Sequence, residues 1–291
     1  MEAPTATPRS LWTADGLSLF VRVWPGEGKG WLGIIHGYGE HSGRYEGFAR
    51  WLNARGWSVA ACDLRGHGKS PGRRGHIRRF SDYLHDATAL HGFLQGRAGG
   101  RPVFLLGHSL GGLIAIRYVQ GGAEDLGGLI LSAPFLKAEL PIPTWKVALS
   151  RVLSRGWPSF SSPSGLVGTL VSRDPEIVAE YGRDPLMHRR ATARWLTETL
   201  KAQEDAFAWA PKLPIPLLLL HGDADPIANV SATRRFFAAA GSQDKTLNVY
   251  GGFLHEVLNE IGKERVWEDI ASWLDDRSHT EGKIRTKEVM C

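Results

Sequence analysis

The chain has 291 residues, 43% of them hydrophobic and 22% charged, with 35 Lys and Arg against 30 Asp and Glu for a net charge of +5. This is globular composition: it excludes wholesale disorder, and the length allows a sizeable core without disulfides or metals. The mild positive charge is spread along the chain, which argues against nucleic acid, and its densest run, Arg73 to Arg79, reads as a solvated loop.

In chain order, residues 9–24 read as a β-hairpin around the turn signal Asp15-Gly16. Residues 31–36 (WLGIIH) form a buried strand. Residues 44–55 form a helix with Tyr45, Phe48, Trp51 and Leu52 on one face. Strand 57–62 and helix 82–95 follow, then strand 102–107, helix 110–120 and strand 128–133. After a gap come strand 215–221, helix 230–240, strand 246–250 and helix 262–275. Short apolar runs alternating with helical patterns predict an α/β fold, a mostly parallel sheet flanked by helices.

The alternation stops between 134 and 212. That stretch carries prolines at 134, 141, 143, 158, 163, 175 and 185 and helical segments without a strand-like run. It reads as an insertion over one end of the sheet. The expected organisation is therefore a core of 1–133 and 213–277, a helical cap or lid at 134–212, and a disordered tail at 278–291.

Two cysteines, Cys62 and Cys291, imply no disulfide framework and suit a reducing compartment. The opening MEAPTATPRS has no basic segment followed by an apolar one, and no stretch approaches ~18 consecutive apolar residues. A soluble, cytoplasmic protein is expected.

Gly107-His108-Ser109-Leu110-Gly111 matches G-x-S-x-G between a strand and a helix. A serine there sits on a tight turn that exposes its hydroxyl, with a helix N-terminus facing developing negative charge. Such a nucleophile needs a base and an orienting carboxylate, here expected after later strands in the order Ser, acid, His. His255, in the Gly-rich loop after strand 246–250, is the base by position. The loop after strand 215–221 offers two acids, Asp223 and Asp225, and position alone does not choose between them. His36-Gly37-Tyr38-Gly39, after strand 31–36, sits where free backbone N–H groups form an oxyanion hole.

Three other patterns carry less. Gly68-Lys69-Ser70 resembles the end of a phosphate-binding loop, but the required first glycine falls on Asp63. His221, Asp223 and Asp225 lack a second cluster to complete a metal site. Asn229-Val230-Ser231 fits a glycosylation sequon without a secretion signal.

Six segments together carry a family resemblance: HGYGEHSGRY at 36–45, DLRGHGKSPGRRGHI at 63–77, GHSLGG at 107–112, SRDPEIVAEYGRDPL at 172–186, HGDADPI at 221–227 and GGFLHEVLNE at 251–260. Over most of residues 10–276 the chain resembles the α/β-hydrolase superfamily. Within it, the chain is similar to the monoacylglycerol lipase/lysophospholipase, serine aminopeptidase-like branch. The resemblance implies a serine hydrolase of lipid or small esters that works through an acyl-enzyme, with no metal or organic cofactor. It implies Asp225 as the acid, the backbone N–H groups of Tyr38 and Leu110 as oxyanion donors, and 134–212 as the lid. One departure stands out. Relatives often carry a small residue where this chain has Tyr38, whose side chain is expected to narrow or line the pocket. The rivals are a carboxylesterase, arylesterase, thioesterase or aminopeptidase on the same triad, and a catalytically silent ligand-binding member. A dehalogenase would want Asp at 109.

Within the insertion, Trp145, Leu149, Val152 and Leu153 share one helical face of 144–157, with Lys146, Arg151 and Arg155 largely outside it. Such a stripe either packs on the core and walls an acyl pocket or rests transiently in a membrane interface.

Overall fold

The computed structural model describes residues 6–278. The expected tail and Cys291 lie outside the described residues, apart from Ser278, which ends the last helix.

The chain opens with an antiparallel pair, β1 (Thr7–Trp12) and β2 (Ser18–Trp24), in register Leu11 to Leu19. Next come β3 (Gly30–Ile35), α1 (Glu46–Asn53), β4 (Trp57–Cys62), α2 (Ser81–Ala98), β5 (Val103–His108), α3 (Leu110–Gln120) and β6 (Gly128–Ser132). The β6–β9 segment holds α4 (Thr144–Gly156), β7 (Ser161–Pro163), α5 (Pro175–Arg183), β8 (Arg190–Thr192) and α6 (Ala193–Ala208). The chain then returns through β9 (Leu217–Gly222), α7 (Val230–Ala239), β10 (Lys245–Tyr250) and α8 (Lys263–Ser278).

Eight strands form one sheet in the order β1-β2-β4-β3-β5-β6-β9-β10, parallel from β4 onward. Its central strands are buried on both faces, which is why they read as continuous apolar runs. Successive side chains still part to opposite sides, as the strand period of two requires. Leu105 with Leu217 and Leu219 joins the core under α2, α3 and α7; Leu106 with Leu218 and Leu220 joins the core under α1 and α8. Among the described residues no helix is long and apolar enough to cross a membrane.

One feature of the β6–β9 segment differs from expectation and another was left open by its sequence. It contains strands: β7 and β8 pair antiparallel, Ser162 opposite Ala191. Each is three residues long, too short to leave an alternating pattern. The apolar stripe of α4 also faces outward. Trp145, Leu149 and Val152 are 62%, 47% and 67% exposed, and Leu153 is half-buried. The buried side is polar and small, Ser150 and Ser154, and lies toward α6, where Arg194 donates to the Ser154 carbonyl at 2.6 Å.

Candidate active site

Because β3, β5, β9 and β10 run parallel, the loops at their C-terminal ends gather at one edge of the sheet, where α/β folds place ligands. Those loops carry Tyr38, Ser109, Asp225 and His255.

Ser109 follows β5 directly and precedes α3. Its backbone sits at φ 51°, a conformation costly for a residue with a Cβ and one that clusters at functional sites. The flanking glycines make room for it. A Cβ on Gly107 would lie 2.4 Å from the Gly111 carbonyl oxygen, and one on Gly111 would lie 2.0 Å from the Ile35 carbonyl oxygen. Leu110 is the first residue of α3, so its N–H is one that a helix leaves without an intrahelical acceptor. The Ser109 hydroxyl makes no hydrogen bond among the described residues; in free enzymes that contact is often long and tightens with substrate.

The two acids of the β9 loop separate cleanly. Asp225 is buried, and its Oδ2 lies 2.7 Å from His255 Nδ1. Its Oδ1 accepts the Ile227 and Ala228 N–H groups at 2.7 and 3.0 Å. Asp223 is exposed and accepts the Gly252 N–H at 2.6 Å, bracing the loop before His255. A second imidazole, His221, brings Nε2 to 3.0 Å from Asp225 Oδ2, while its ring nitrogens make their hydrogen bonds with the Thr233 hydroxyl at 2.9 Å and the Ala228 carbonyl at 3.1 Å.

Burial pushes the Asp225 carboxyl up, but the charge of His255, the nearby His221 imidazole and the hydrogen bond from His255 outweigh it and hold the group well below the usual carboxylate range. It stays ionised at neutral pH. Burial acts to lower the His255 pKa, yet the Asp225 charge and hydrogen bond, with Glu256 and Glu40 beyond, raise it above the ordinary 6.5. A general base must be neutral to accept a proton, and protonation silences it. Activity is therefore expected to fall as pH drops through a value above 6.5. A kcat/KM profile reads this ionisation in the free enzyme; an acid limb lying wholly below pH 6.5 would contradict the assignment.

The turn after β3 is held from beneath. Gly37 N–H donates to Glu40 Oε1 at 2.5 Å, and Tyr45 Oη donates to the same oxygen at 2.8 Å. The Tyr38 N–H has no acceptor among the described residues. Arg44 bridges Glu40 and Glu256: its Nε lies 3.2 Å from Glu40 Oε2, an ion pair without hydrogen-bond geometry, and its Nη2 donates to Glu256 Oε2. This buried triplet joins the turn after β3 to the loop of His255. His108, beside Ser109, has its ring centroid 4.9 Å from that of His255, and burial, with the neighbouring His255 charge, pushes its pKa down to about 4. It is neutral in the working range.

Sequence reasoning thus named the residues brought together here, but not their supports. His221 was weighed only as a metal ligand, and Glu40, Arg44 and Glu256 were passed over. The i,i+4 spacings of His221 with Asp225 and of Glu40 with Arg44 were the available signals. Among the described residues no group of three or more His, Cys, Asp or Glu is arranged to hold a metal ion. The Tyr38 ring is packed against Trp195, His188 and His67, and its hydroxyl donates to the Arg190 carbonyl.

Residues 26–262 match the family described as serine aminopeptidase, S33. The chain belongs to this family of α/β-hydrolases. Family members with similar sequences include a monoacylglycerol lipase of Mycolicibacterium smegmatis, 33% identical across 94% of this chain and 99% of that protein. A human monoglyceride lipase is 34% identical across 96% and 97%. A Bacillus subtilis phospholipase, YtpA, is 32% identical across 83% and 93%. Among solved structures of the fold, the monoacylglycerol lipase of Paleococcus ferrophilus superimposes with a TM-score of 0.82 at 35% identity, covering 89% of this chain and 99% of that one.

Proposed function

We propose that this protein hydrolyses monoacylglycerol, or a lysophospholipid of similar shape, to a free fatty acid and the corresponding alcohol. The observation that carries the reading is the near-complete match to monoacylglycerol lipases, 94% of this chain and 99% of the mycobacterial relative. It is supported by a site whose geometry suits acyl transfer.

The mechanism follows from the side chains. Ser109 Oγ bonds to the ester carbonyl carbon while His255 Nε2 takes the hydroxyl proton. Asp225, 2.7 Å from Nδ1, fixes the tautomer and stabilises the imidazolium. The carbonyl oxygen becomes an oxyanion held by the Tyr38 and Leu110 N–H groups. The bond to the leaving alkoxide breaks as His255 returns the proton to it. Water then adds to the acyl-enzyme, giving its proton to His255, and the fatty acid leaves as Ser109 is restored.

The segment 134–212 acts as a lid whose outer face rests on lipid. Trp145, Leu149 and Val152 on α4, with Leu140 and Trp157 at its flanks, present apolar surface to solvent. Lys146, Arg151 and Arg155 stand beside them, the arrangement of an interfacial helix on an anionic surface. A small-ester hydrolase has no use for such a face; an enzyme that draws monoacylglycerol from a bilayer does.

One assay tests both parts. Wild type is expected to release glycerol and fatty acid from monoacylglycerol in vesicles containing phosphatidylglycerol. Trp145→Ser with Leu149→Ser is expected to lower that rate and vesicle binding roughly tenfold, since each large apolar side chain contributes about 1.5–3 kcal/mol when fully buried and less in an interface. Turnover of a soluble p-nitrophenyl ester should hold. Equal loss on the soluble ester would contradict the interfacial role; absence of monoacylglycerol turnover by wild type would contradict the substrate.

A further inference from the structure

The structure gives the Tyr38 side chain a specific use. The ring is only 9% exposed and lies against Trp195, with centroids 4.0 Å apart, and against His188 at 5.1 Å. The hydroxyl donates to the carbonyl of Arg190 at 2.5 Å. The next residue, Gly39, accepts the His188 N–H on its carbonyl at 2.9 Å. Two consecutive residues of the oxyanion turn are thus gripped by residues 188–190.

That grip belongs to the lid. Arg190 begins β8, which pairs with β7, and its guanidinium donates to the Ser161 carbonyl at 2.8 Å. Trp195 lies in the first turn of α6. The far side of β8 is fastened to the basic loop 73–79, which the catalytic residues leave unexplained: the Thr192 N–H and hydroxyl both donate to the Gly75 carbonyl at 3.0 Å. Gly75 sits at φ +63°, and a Cβ there would lie 2.0 Å from the Arg190 carbonyl oxygen and 2.6 Å from the Tyr38 hydroxyl. Glycine is required where phenol, lid strand and basic loop meet.

An oxyanion donor acts only when its N–H is aimed to within a few tenths of an ångström, and a backbone amide turns with its own side chain. Gly37 is fixed from the core side by Glu40. Tyr38 is fixed from the lid side. We infer that the Tyr38 side chain is a positioning device that ties the oxyanion hole to the seating of β8, so that transition-state stabilisation depends on a seated lid. This rests on the proposed role of the Tyr38 N–H in ester hydrolysis.

The test uses the full-length protein and a soluble p-nitrophenyl ester. Tyr38→Phe keeps the ring and removes the hydroxyl. It is expected to lower kcat roughly tenfold, less than the 10²–10³ for deleting an oxyanion donor outright. KM should stay within about twofold, because the interaction lost belongs to the transition state. Affinity for a trifluoromethyl ketone, whose Ser109 adduct carries the oxyanion, should fall by the same factor as kcat. Gly75→Ala, which displaces the Arg190 carbonyl, is expected to give a similar kcat loss. The double variant should be no worse than the poorer single one, since both act through one contact.

Wild-type kcat in Tyr38→Phe, a loss confined to KM, additive losses in the double variant, or a Tyr38→Phe protein that does not fold would each overturn the inference. If Gly75→Ala does not fold, the Tyr38→Phe kinetics decide alone. Failure of the underlying hydrolase reading is separate: wild type itself would then show no ester turnover.

Discussion

Ser109→Ala is expected to lower kcat for ester hydrolysis by on the order of 10⁴- to 10⁶-fold, leaving only what the oxyanion donors and substrate binding supply. No neighbouring group replaces the lost oxygen: His108 is neutral and engaged with Ser132, and His255 has no other hydroxyl assigned to it. The fold should survive. Alanine at φ 51° carries the same Cβ as serine, and Ala133 already adopts φ 42° in this chain. Steady-state rates on a soluble ester, beside thermal melts of both proteins, check the prediction. Activity within a hundredfold of wild type would mean that Ser109 is not the nucleophile.

The second large effect separates the two acids of the β9 loop. Asp225→Asn is expected to reduce kcat by roughly 10⁴-fold, the loss seen when the orienting carboxylate of a comparable triad becomes an amide. An amide has one acceptor oxygen where Asp225 needs acceptors on both oxygens, Oδ2 for His255 and Oδ1 for two backbone N–H groups. Whichever way it turns, one partner meets an N–H, and the imidazolium formed during turnover loses its counter-charge. Asp223→Asn retains an oxygen for the Gly252 N–H and should cost less than about tenfold. Equal losses, or the reverse order, would reassign the acid.

How far the sequence reached depends on the range of the contacts involved. The sheet was legible because β3, β4, β5, β6 and β9 are buried throughout and spell continuous apolar runs. The Ser109 turn was legible because it needs glycine at 107 and 111, a purely local demand. The pairing of His255 with Asp225 rather than Asp223 was not local: it joins residues 30 apart, and only the family resemblance pointed to it in the sequence. The α4 stripe was visible as periodicity, but periodicity does not say which way a stripe faces, and the packing of Ser150 and Ser154 toward α6 turned it outward. Tyr38 is the extreme case. Its partner, the Arg190 carbonyl, is 152 residues away in a three-residue strand with no sequence signature. Glu40 sits in a turn, Arg44 at the start of an expected helix and Glu256 in a loop, and only the fold brings the three charges into one buried group.

The account turns on one covalent bond, between Ser109 Oγ and the acyl group, and a fluorophosphonate that mimics the acyl transition state reports on it directly. Intact-protein mass spectrometry of wild type is expected to show a single adduct, peptide mapping to put it on Ser109, and Ser109→Ala to remain unlabelled under the same conditions. An adduct on any other serine at a comparable rate, or an unlabelled wild-type protein that is nonetheless folded, would contradict it.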